Sequence, residues 1–219
     1  LFRSPGIGMD RDRPELLGHE QGIRMLTQRV RGFSLIELLV TMTVFAVLAA
    51  MAAPSLMQYA DNMKTLAQAE AFYGSVQQAR TEAIRRNVPV ELVLTDQPPV
   101  ETSVDTNGLT ASGPNWIVRQ LSDAPPSTAH TFIEGKSGAE GSGRAGGNSS
   151  VVINSNANTI RFNASGALVG SAVTVRFEQA GGTCAPAGPA RCLRVIAAAG
   201  GQVRLCDPAA SGSGDTRTC

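Results

Sequence analysis

The hydrophobic residues of this chain follow two patterns, which change near residue 88. From Phe33 to Ala53 nearly every side chain is apolar, and a helix of this length can cross the hydrocarbon core of a lipid bilayer. Glu37 carries the only formal charge of the segment. Because a carboxylate inside a spanning helix costs about 2.5–3.5 kcal/mol on insertion scales, an acid at this position indicates a function.

The helix is predicted to continue past the apolar segment. Pro54 removes one backbone hydrogen bond and is expected to kink or loosen the helix locally. The polar residues 85–87 are ending signals and Pro89 opposes continuation, so one helix is predicted over residues 33–86. Beyond Pro54, apolar residues recur at three- and four-residue steps, which is typical of a face that packs on a globular head. That predicted face contains Leu56, Tyr59, Met63, Leu66 and Tyr73, widened by Phe72, Val76, Ala79 and Ala83 toward Ile84.

After residue 88 the pattern changes to short apolar runs, most of them bounded by turn-forming residues. Eight short candidate strands after one long helix predict an α+β fold with an antiparallel sheet in the head. Residues 96–114 and 135–149 are predicted to be irregular. The predicted strands cover residues 88–95, 115–121, 130–134, 150–154, 159–162, 172–179, 191–197 and 202–206.

The residues at the start of the apolar run form a recognisable motif. The segment Arg31-Gly32-Phe33-Ser34-Leu35-Ile36-Glu37 joins a basic leader ending in glycine to an apolar helix with an acid five residues in. It resembles the N-terminal motif of the type IV pilin and pseudopilin superfamily, whose members commonly carry a proline where Pro54 lies. The resemblance implies cleavage after Gly32 by a prepilin peptidase, methylation of the amine of Phe33, and attraction of a neighbouring subunit's amino terminus by Glu37. An ordinary signal anchor with a stray acid is the alternative.

This interpretation divides the chain into a leader, a transmembrane half-helix, an amphipathic half-helix and a β-rich head. Met25 opens a short basic leader of the prepilin kind, so residues 1–24 are expected to be untranslated. Arg29 and Arg31 place the N-terminal side in the cytoplasm by the positive-inside rule, and the head is therefore expected in the periplasm of a bacterium. The four parts cover residues 1–32, 33–54, 55–87 and 88–219.

Four cysteines lie in the C-terminal third of the chain: Cys184, Cys192, Cys206 and Cys219. An even number of cysteines in an extracytoplasmic domain indicates disulfides. A zinc site is disfavoured, because there is no Cys-x-x-Cys spacing and no histidine nearby. The pairs Cys184–Cys192 and Cys206–Cys219 are favoured, since the first closes a loop and the second ties down the tail. Cys192–Cys206 across a hairpin is the rival pairing.

The second half of the chain resembles the GspH/FimT family of minor pilins and pseudopilins. The similar segments are 115–118, 160–168, 173–177 and 194–208. The resemblance implies a β-sandwich-like head docked on the helix, and a low-copy subunit that contacts other pilins through its N-terminal helix and primes or caps a type IV pilus. The Cys-Asp-Pro tail favours the pilus over the alternative, a pseudopilin of type II secretion.

Some FimT-type members bind DNA through a Gly-Arg-x-Arg turn, and the matching residues here are 201–204. Gln202 replaces the first arginine, so one phosphate-neutralising charge is missing. A minor pilin that binds double-stranded DNA for natural transformation is therefore an alternative function, and solvated surface arginines are the simpler interpretation. The candidate DNA-binding residues are Arg191, Arg194, Gln202, Arg204 and Arg217.

Charge and chemistry narrow the function classes further. After Gly32, thirteen Lys and Arg stand against fourteen Asp and Glu, so no bulk attraction to nucleic acid or anionic lipid is expected. His130 is the only histidine in this part, and we interpret it as a partly buried structural residue. No phosphate-binding loop, dinucleotide-binding glycine pattern or metal-ligand spacing is present. We therefore expect no catalysis, no metal and no cofactor.

Overall fold

The structure, a computed structural model, describes residues 32–105, 108–121, 130–138, 150–212 and 214–219. The chain divides into two compact units, Leu1–Phe45 and Ala46–Cys219. Apart from Gly32, the predicted leader and its start at Met25 lie outside the described residues. Most of the stretch 135–149, predicted to be irregular, lies outside them as well.

One long helix, α1 (Leu35–Arg86), confirms the prediction made from the apolar periodicity. Ser34 caps its first turn, because Oγ accepts a hydrogen bond from the backbone N–H of Glu37 at 3.2 Å. From Phe33 to Phe45 every side chain is exposed. The helix continues through Pro54 without a break.

The helix ends where the polar residues 85–87 predict. Asn87 adopts a left-handed conformation with φ 56°, which asparagine tolerates better than most residues. The N–H of Val88 then donates to the carbonyl of Ala83 at 3.3 Å. This is the Schellman arrangement, which satisfies a carbonyl of the last turn and releases the chain toward the first strand.

Two four-stranded antiparallel sheets follow the helix and confirm the α+β prediction. The first has the order β3-β2-β1-β5 and the second the order β4-β6-β7-β8. All eight predicted strands are present, with boundaries shifted by three residues or fewer. They are β1 (Val90–Thr95), β2 (Asn115–Leu121), β3 (His130–Ser137), β4 (Val151–Ser155), β5 (Thr159–Phe162), β6 (Val173–Gln179), β7 (Leu193–Ala197) and β8 (Val203–Cys206).

The core lies where α1 meets the inner faces of both sheets. Phe72 is fully buried, and its ring lies 5.2 Å from that of Trp116 in β2 and 5.4 Å from that of Phe177 in β6. One helical side chain therefore joins the two sheets, and edge-on aromatic pairs of this kind add about 0.5–1.5 kcal/mol to the burial of their area. Small side chains on the same buried face of α1 allow the helix to approach the sheets closely. They are Ala69, Val76, Ala79 and Ala83.

The face of α1 that contacts the head differs from the prediction at its lower end. Leu56, Tyr59 and Met63 are exposed, so their predicted contact with the head is wrong. Leu66 and Tyr73 lie at the margin of the core. The predicted face is therefore correct from Leu66 to Ala83, whereas Ile84 beyond it is exposed.

Polar contacts explain this error. Gln58 Nε2 donates to Oε1 of Gln179 at 2.9 Å, and Asn62 Oδ1 accepts from the N–H of Arg191 at 2.7 Å. Hydrogen bonds to the end of β6 and to the β6–β7 loop therefore determine which side of this segment faces the head. A periodicity based on apolar residues alone predicts that the side of the helix with Gln58 and Asn62 faces solvent.

Both favoured disulfides are present. Cys184–Cys192 closes the loop between β6 and β7, with a Cα–Cα distance of 5.5 Å. Cys206–Cys219 joins the end of β8 to the C-terminal tail, with a Cα–Cα distance of 5.1 Å. The rival pairing of Cys192 with Cys206 is excluded, because each has another partner.

Candidate functional site

Glu37 lies in the first turn of α1, within the apolar segment. Ser34 and Glu37 have the spacing of a capping box, in which a serine caps the helix three residues before a glutamate. The carboxylate is exposed and makes no hydrogen bond or ion pair with any described residue. Among the described residues, Glu37 is therefore an acid without a counter-ion, surrounded by apolar side chains.

Gly32 and Phe33 lie just before the helix and are exposed. A Cβ at Gly32 would meet no heavy atom within 4 Å. The chain itself therefore supplies no steric reason for a glycine at this position.

The helix exposes a long apolar surface on both sides of Pro54. By length and composition α1 is able to cross a membrane, and it is the one such helix among the described residues. The exposed surface continues past the predicted membrane boundary as a stripe of Leu56, Tyr59 and Met63. Before Pro54 it consists of Leu35, Ile36, Leu38, Leu39, Val40, Met42, Val44, Phe45, Val47, Leu48 and Met51.

The structure separates the candidate DNA-binding arginines into two groups, of which the first is paired with acids. Arg191 Nε lies 3.4 Å from Oδ2 of Asp207, and Arg217 Nη2 lies 2.8 Å from Oδ2 of Asp215. The hydrogen bond from Arg217 lowers the pKa of Asp215. These two arginines are thus largely neutralised by neighbouring carboxylates.

The second group lies on the outer face of the β4-β6-β7-β8 sheet. Arg194 in β7 is directly opposite Arg176 in β6, and Arg204 lies on the same face in β8. None of the three forms an ion pair with an acidic side chain among the described residues, and Arg204 Nη2 donates to the carbonyl oxygen of Cys219 in the tail. Because like charges opposite each other destabilise a sheet, this arrangement has a cost that binding an anion would offset. Arg176 could not be identified from the sequence, because the register between β6 and β7 decides which arginines lie side by side.

The turn that matches the Gly-Arg-x-Arg motif has a structural explanation for its glycine. Gly201 has φ +79°, and a Cβ there would clash with the carbonyl oxygen of Gly166. Arg80 Nε donates to the same carbonyl at 3.0 Å, so the helix holds the two turns together. Gln202 follows with an exposed side chain. Gly201 therefore does not by itself indicate DNA binding.

A buried charge cluster on the outer side of the first sheet was missed from the sequence. Glu91 is 1% exposed and accepts hydrogen bonds from Arg119 Nε at 2.8 Å and from Arg161 Nε at 2.9 Å. His130 Nε2 lies 3.7 Å from Glu91, and its Nδ1 lies 2.6 Å from Asp105. The hydrogen bond with His130 lowers the pKa of Asp105.

This cluster joins neighbouring strands, and each of its two acids has a basic partner. Register places Glu91 directly opposite both Arg119 and Arg161, so one carboxylate connects three neighbouring strands. The charged residues of these three strands were visible in the sequence, but the pairing of the strands was not. No group of three metal-ligating side chains occurs in the described part of the chain.

Comparisons with known proteins add a family and several similar folds. The family described as Type II transport protein GspH matches residues 68–201, and the prokaryotic N-terminal methylation motif matches residues 27–53. No curated protein sequence matches the chain.

Three solved structures illustrate the similarity of fold. The type IV minor pilin FimU of Pseudomonas aeruginosa is 14% identical, with TM-score 0.46, over 67% of this chain and 91% of its own. The minor pseudopilin EpsH of the Vibrio cholerae type 2 secretion system is 15% identical, with TM-score 0.45, over 67% and 99%. GspH of E. coli is 13% identical, with TM-score 0.39, over 71% and 93%.

Proposed function

This chain belongs to the GspH family and carries the N-terminal methylation motif, and from that premise we propose that it primes or caps the assembly of a type IV pilus. Membership makes it a minor pilin or pseudopilin, a class that associates with other pilins and is processed by a prepilin peptidase. We propose a structural role without catalysis, metal or cofactor.

The observation that carries the proposal is the carboxylate of Glu37 on the exposed apolar helix, for which no described residue supplies a partner. Cleavage after Gly32 would create a positive amine on Phe33. The amine of a neighbouring subunit would neutralise Glu37 in a medium of low dielectric constant, where an unpaired charge is costly. The same contact would set the axial register of the helix, and the apolar surface around it would pack against other helices.

The proposed orientation follows from the charges around the helix. Arg29 and Arg31 precede the apolar segment, so its N-terminal side is assigned to the cytoplasm and the head to the periplasm. The disulfides of the head agree with an oxidising compartment. The stripe of Leu56, Tyr59 and Met63 extends the assembly surface beyond the membrane.

The test replaces Glu37 and separates processing from assembly. We expect Glu37→Ala to be cleaved normally, as judged by the intact mass of the mature protein, and to be absent from sheared filaments. Thr41→Ala is the matched control, because Thr41 lies one turn further along the same apolar helix and bonds only its own helix, to the carbonyl of Leu38. Normal incorporation of Glu37→Ala would refute the proposal.

The alternative assembly is the pseudopilus of type II secretion, which the description of the family favours. Deletion in the source organism distinguishes the two. Loss of surface pili with normal secretion supports the pilus, whereas retained pili with proteins accumulating in the periplasm supports the secretion system.

Binding of double-stranded DNA is a second candidate function, favoured by the facing pair Arg176 and Arg194. Such binding would contact phosphates, lack sequence specificity and weaken steeply with salt. In a gel-shift titration of the full chain in detergent, Arg194→Gln should weaken binding several-fold. Arg217→Gln is the control, because Arg217 is already paired with Asp215. Absence of a shift at low salt would exclude this function.

A further inference from the structure

The second sheet ends in an open edge beside α1. Strand β8 pairs with β7 on one side, and in the described part of the chain no strand pairs with its other side. The N–H of Ala198 donates to the carbonyl of Gln202 at 2.9 Å, which fixes the alternation of the ladder. Since alternate residues of an antiparallel strand direct both backbone groups to the same side, Val203 and Leu205 direct theirs away from β7.

Neighbouring edges are covered by the chain itself. The outer edge of β5 is covered by the segment after it, where Val169 N–H donates to the carbonyl of Arg161 at 2.8 Å. The tail covers β8 at its end, where Asp207 N–H donates to the carbonyl of Arg217 at 2.7 Å. The edge at residues 203–205 lacks such a cover among the described residues, and an uncovered edge is a template for another strand.

A cavity of about 560 Å³ lies between this edge and the helix. Arg80 of α1 and Arg204 of β8 line it, together with the amides of Gln77 and Gln202, and its lining contains no acid. A separate cavity of about 200 Å³ lies between Leu205 of β8 and Leu66 of the helix, and acids and arginines both line it: Glu70, Asp207, Arg191 and Arg217. The cleft, which is the first of these cavities, therefore combines the open backbone groups of β8 with two guanidinium groups. Each guanidinium also donates to one backbone carbonyl, Arg80 to that of Gly166 and Arg204 to that of Cys219.

We propose that this cleft binds an extended acidic segment of a partner protein, which adds as a strand to β8 at residues 203–205 and places a carboxylate between Arg80 and Arg204. The backbone would supply affinity, as in other cases of strand addition, and the two arginines would supply selectivity for acid side chains. The proposal goes beyond the assembly function, because it concerns the head and does not involve Glu37.

The test uses the full chain, labelled with nitrogen-15 in detergent micelles, and two capped peptides. One has the sequence Val-Glu-Val-Glu-Val-Thr and the other has lysine in place of glutamate. We expect the acidic peptide to slow amide exchange at least tenfold at Val203 and Leu205, and the basic peptide to bind at least tenfold more weakly. Equal binding of both peptides, or protection confined to another edge, would overturn the proposal.

Variants distinguish peptide binding in the cleft from a general attraction of the peptide to the positive charge of the sheet. Arg204→Gln should weaken binding of the acidic peptide about tenfold, whereas Arg176→Gln on the same outer face should leave it unchanged. Leu205→Pro removes the N–H at the open edge and should abolish protection, with retained Trp116 fluorescence showing that the head is folded. Equal losses in Arg176→Gln and Arg204→Gln would indicate a diffuse basic face, as duplex DNA would use, and would refute strand addition. Glu37→Ala should bind the peptide normally, so this test is independent of assembly.

Discussion

Gly32 and Gly201 are both singled out by sequence motifs, but only one of them is required by the fold. A Cβ at Gly32 would meet no atom of the described residues within 4 Å, and we propose that glycine is needed there for recognition by another protein. Gly201 is in the left-handed region and is packed against the backbone of Gly166. A motif residue can therefore be needed for recognition or for folding, and local geometry distinguishes the two.

Replacement of Gly201 should destabilise the head. Gly201→Ala forces a Cβ into a backbone with positive φ and against the carbonyl of Gly166, and we expect a loss of about 2 kcal/mol in the free energy of unfolding. Gly200→Ala is the control, since a Cβ there meets nothing within 4 Å. Unfolding followed by the fluorescence of Trp116, the only tryptophan of the chain, measures both. Equal effects of the two substitutions would contradict this account.

Glu91 should matter more for stability than its exposed partner Arg161. Glu91→Gln leaves Arg119 buried without its counter-ion, and removing one member of a buried pair costs about 3–5 kcal/mol. Arg161→Gln should cost about 1 kcal/mol or less, because that side chain is 43% exposed and screened by water. The midpoint of thermal unfolding should therefore be lowest for Glu91→Gln, higher for Arg161→Gln and highest for the native chain. A loss for Arg161→Gln as large as that for Glu91→Gln would show that the burial of Arg119 is not the cause.

At the scale of elements, the features that could be predicted are those that depend on residues close together in the sequence. The Schellman end at Asn87 and the eight strands follow from turn residues and apolar alternation. The lower face of α1 could not be predicted, because Gln58 binds the end of β6 and Asn62 binds the β6–β7 loop, both of which are far away in sequence. The cluster around Glu91 and the facing pair of arginines depend on strand register, which no local pattern encodes.

The last turn of α1 contains an acid whose ionisation stabilises the fold. Hydrogen bonds from Arg85 and then Arg86 lower the pKa of Glu82. Because the folded pKa lies below the unfolded value of about 4.3, the stabilisation is complete above that value and is lost as pH falls through the folded pKa. We expect the native chain to exceed Glu82→Gln in stability by under about 1 kcal/mol at pH 7, since the arginines are solvated. Stability curves measured from pH 7 to pH 2.5 should converge at the acid end, and a difference independent of pH would contradict this.

At the scale of the whole molecule, each of the two disulfides holds a different segment of the head in place. Cys184–Cys192 closes the loop that holds the lower part of α1 through Asn62. Cys206–Cys219 holds the tail that covers the end of β8. The first therefore stabilises the docking of the helix, and the second limits how much of the sheet edge is open.

This division predicts different effects for the two disulfides. Replacing both Cys184 and Cys192 with serine frees the loop, costs about 2–3 kcal/mol by the loop-entropy estimate, and should raise amide exchange in helix residues near Asn62.

Replacing both Cys206 and Cys219 should leave exchange near Asn62 unchanged and increase it at Asp207, whose N–H is bonded to the tail. Each double variant is the control for the other, because both remove one disulfide from the same head. Hydrogen exchange of the full chain in micelles, read at the two positions, measures both effects. A uniform rise at both positions in either variant would mean that the disulfides stabilise the head as a whole, and that the helix contact and the sheet edge are not separately controlled.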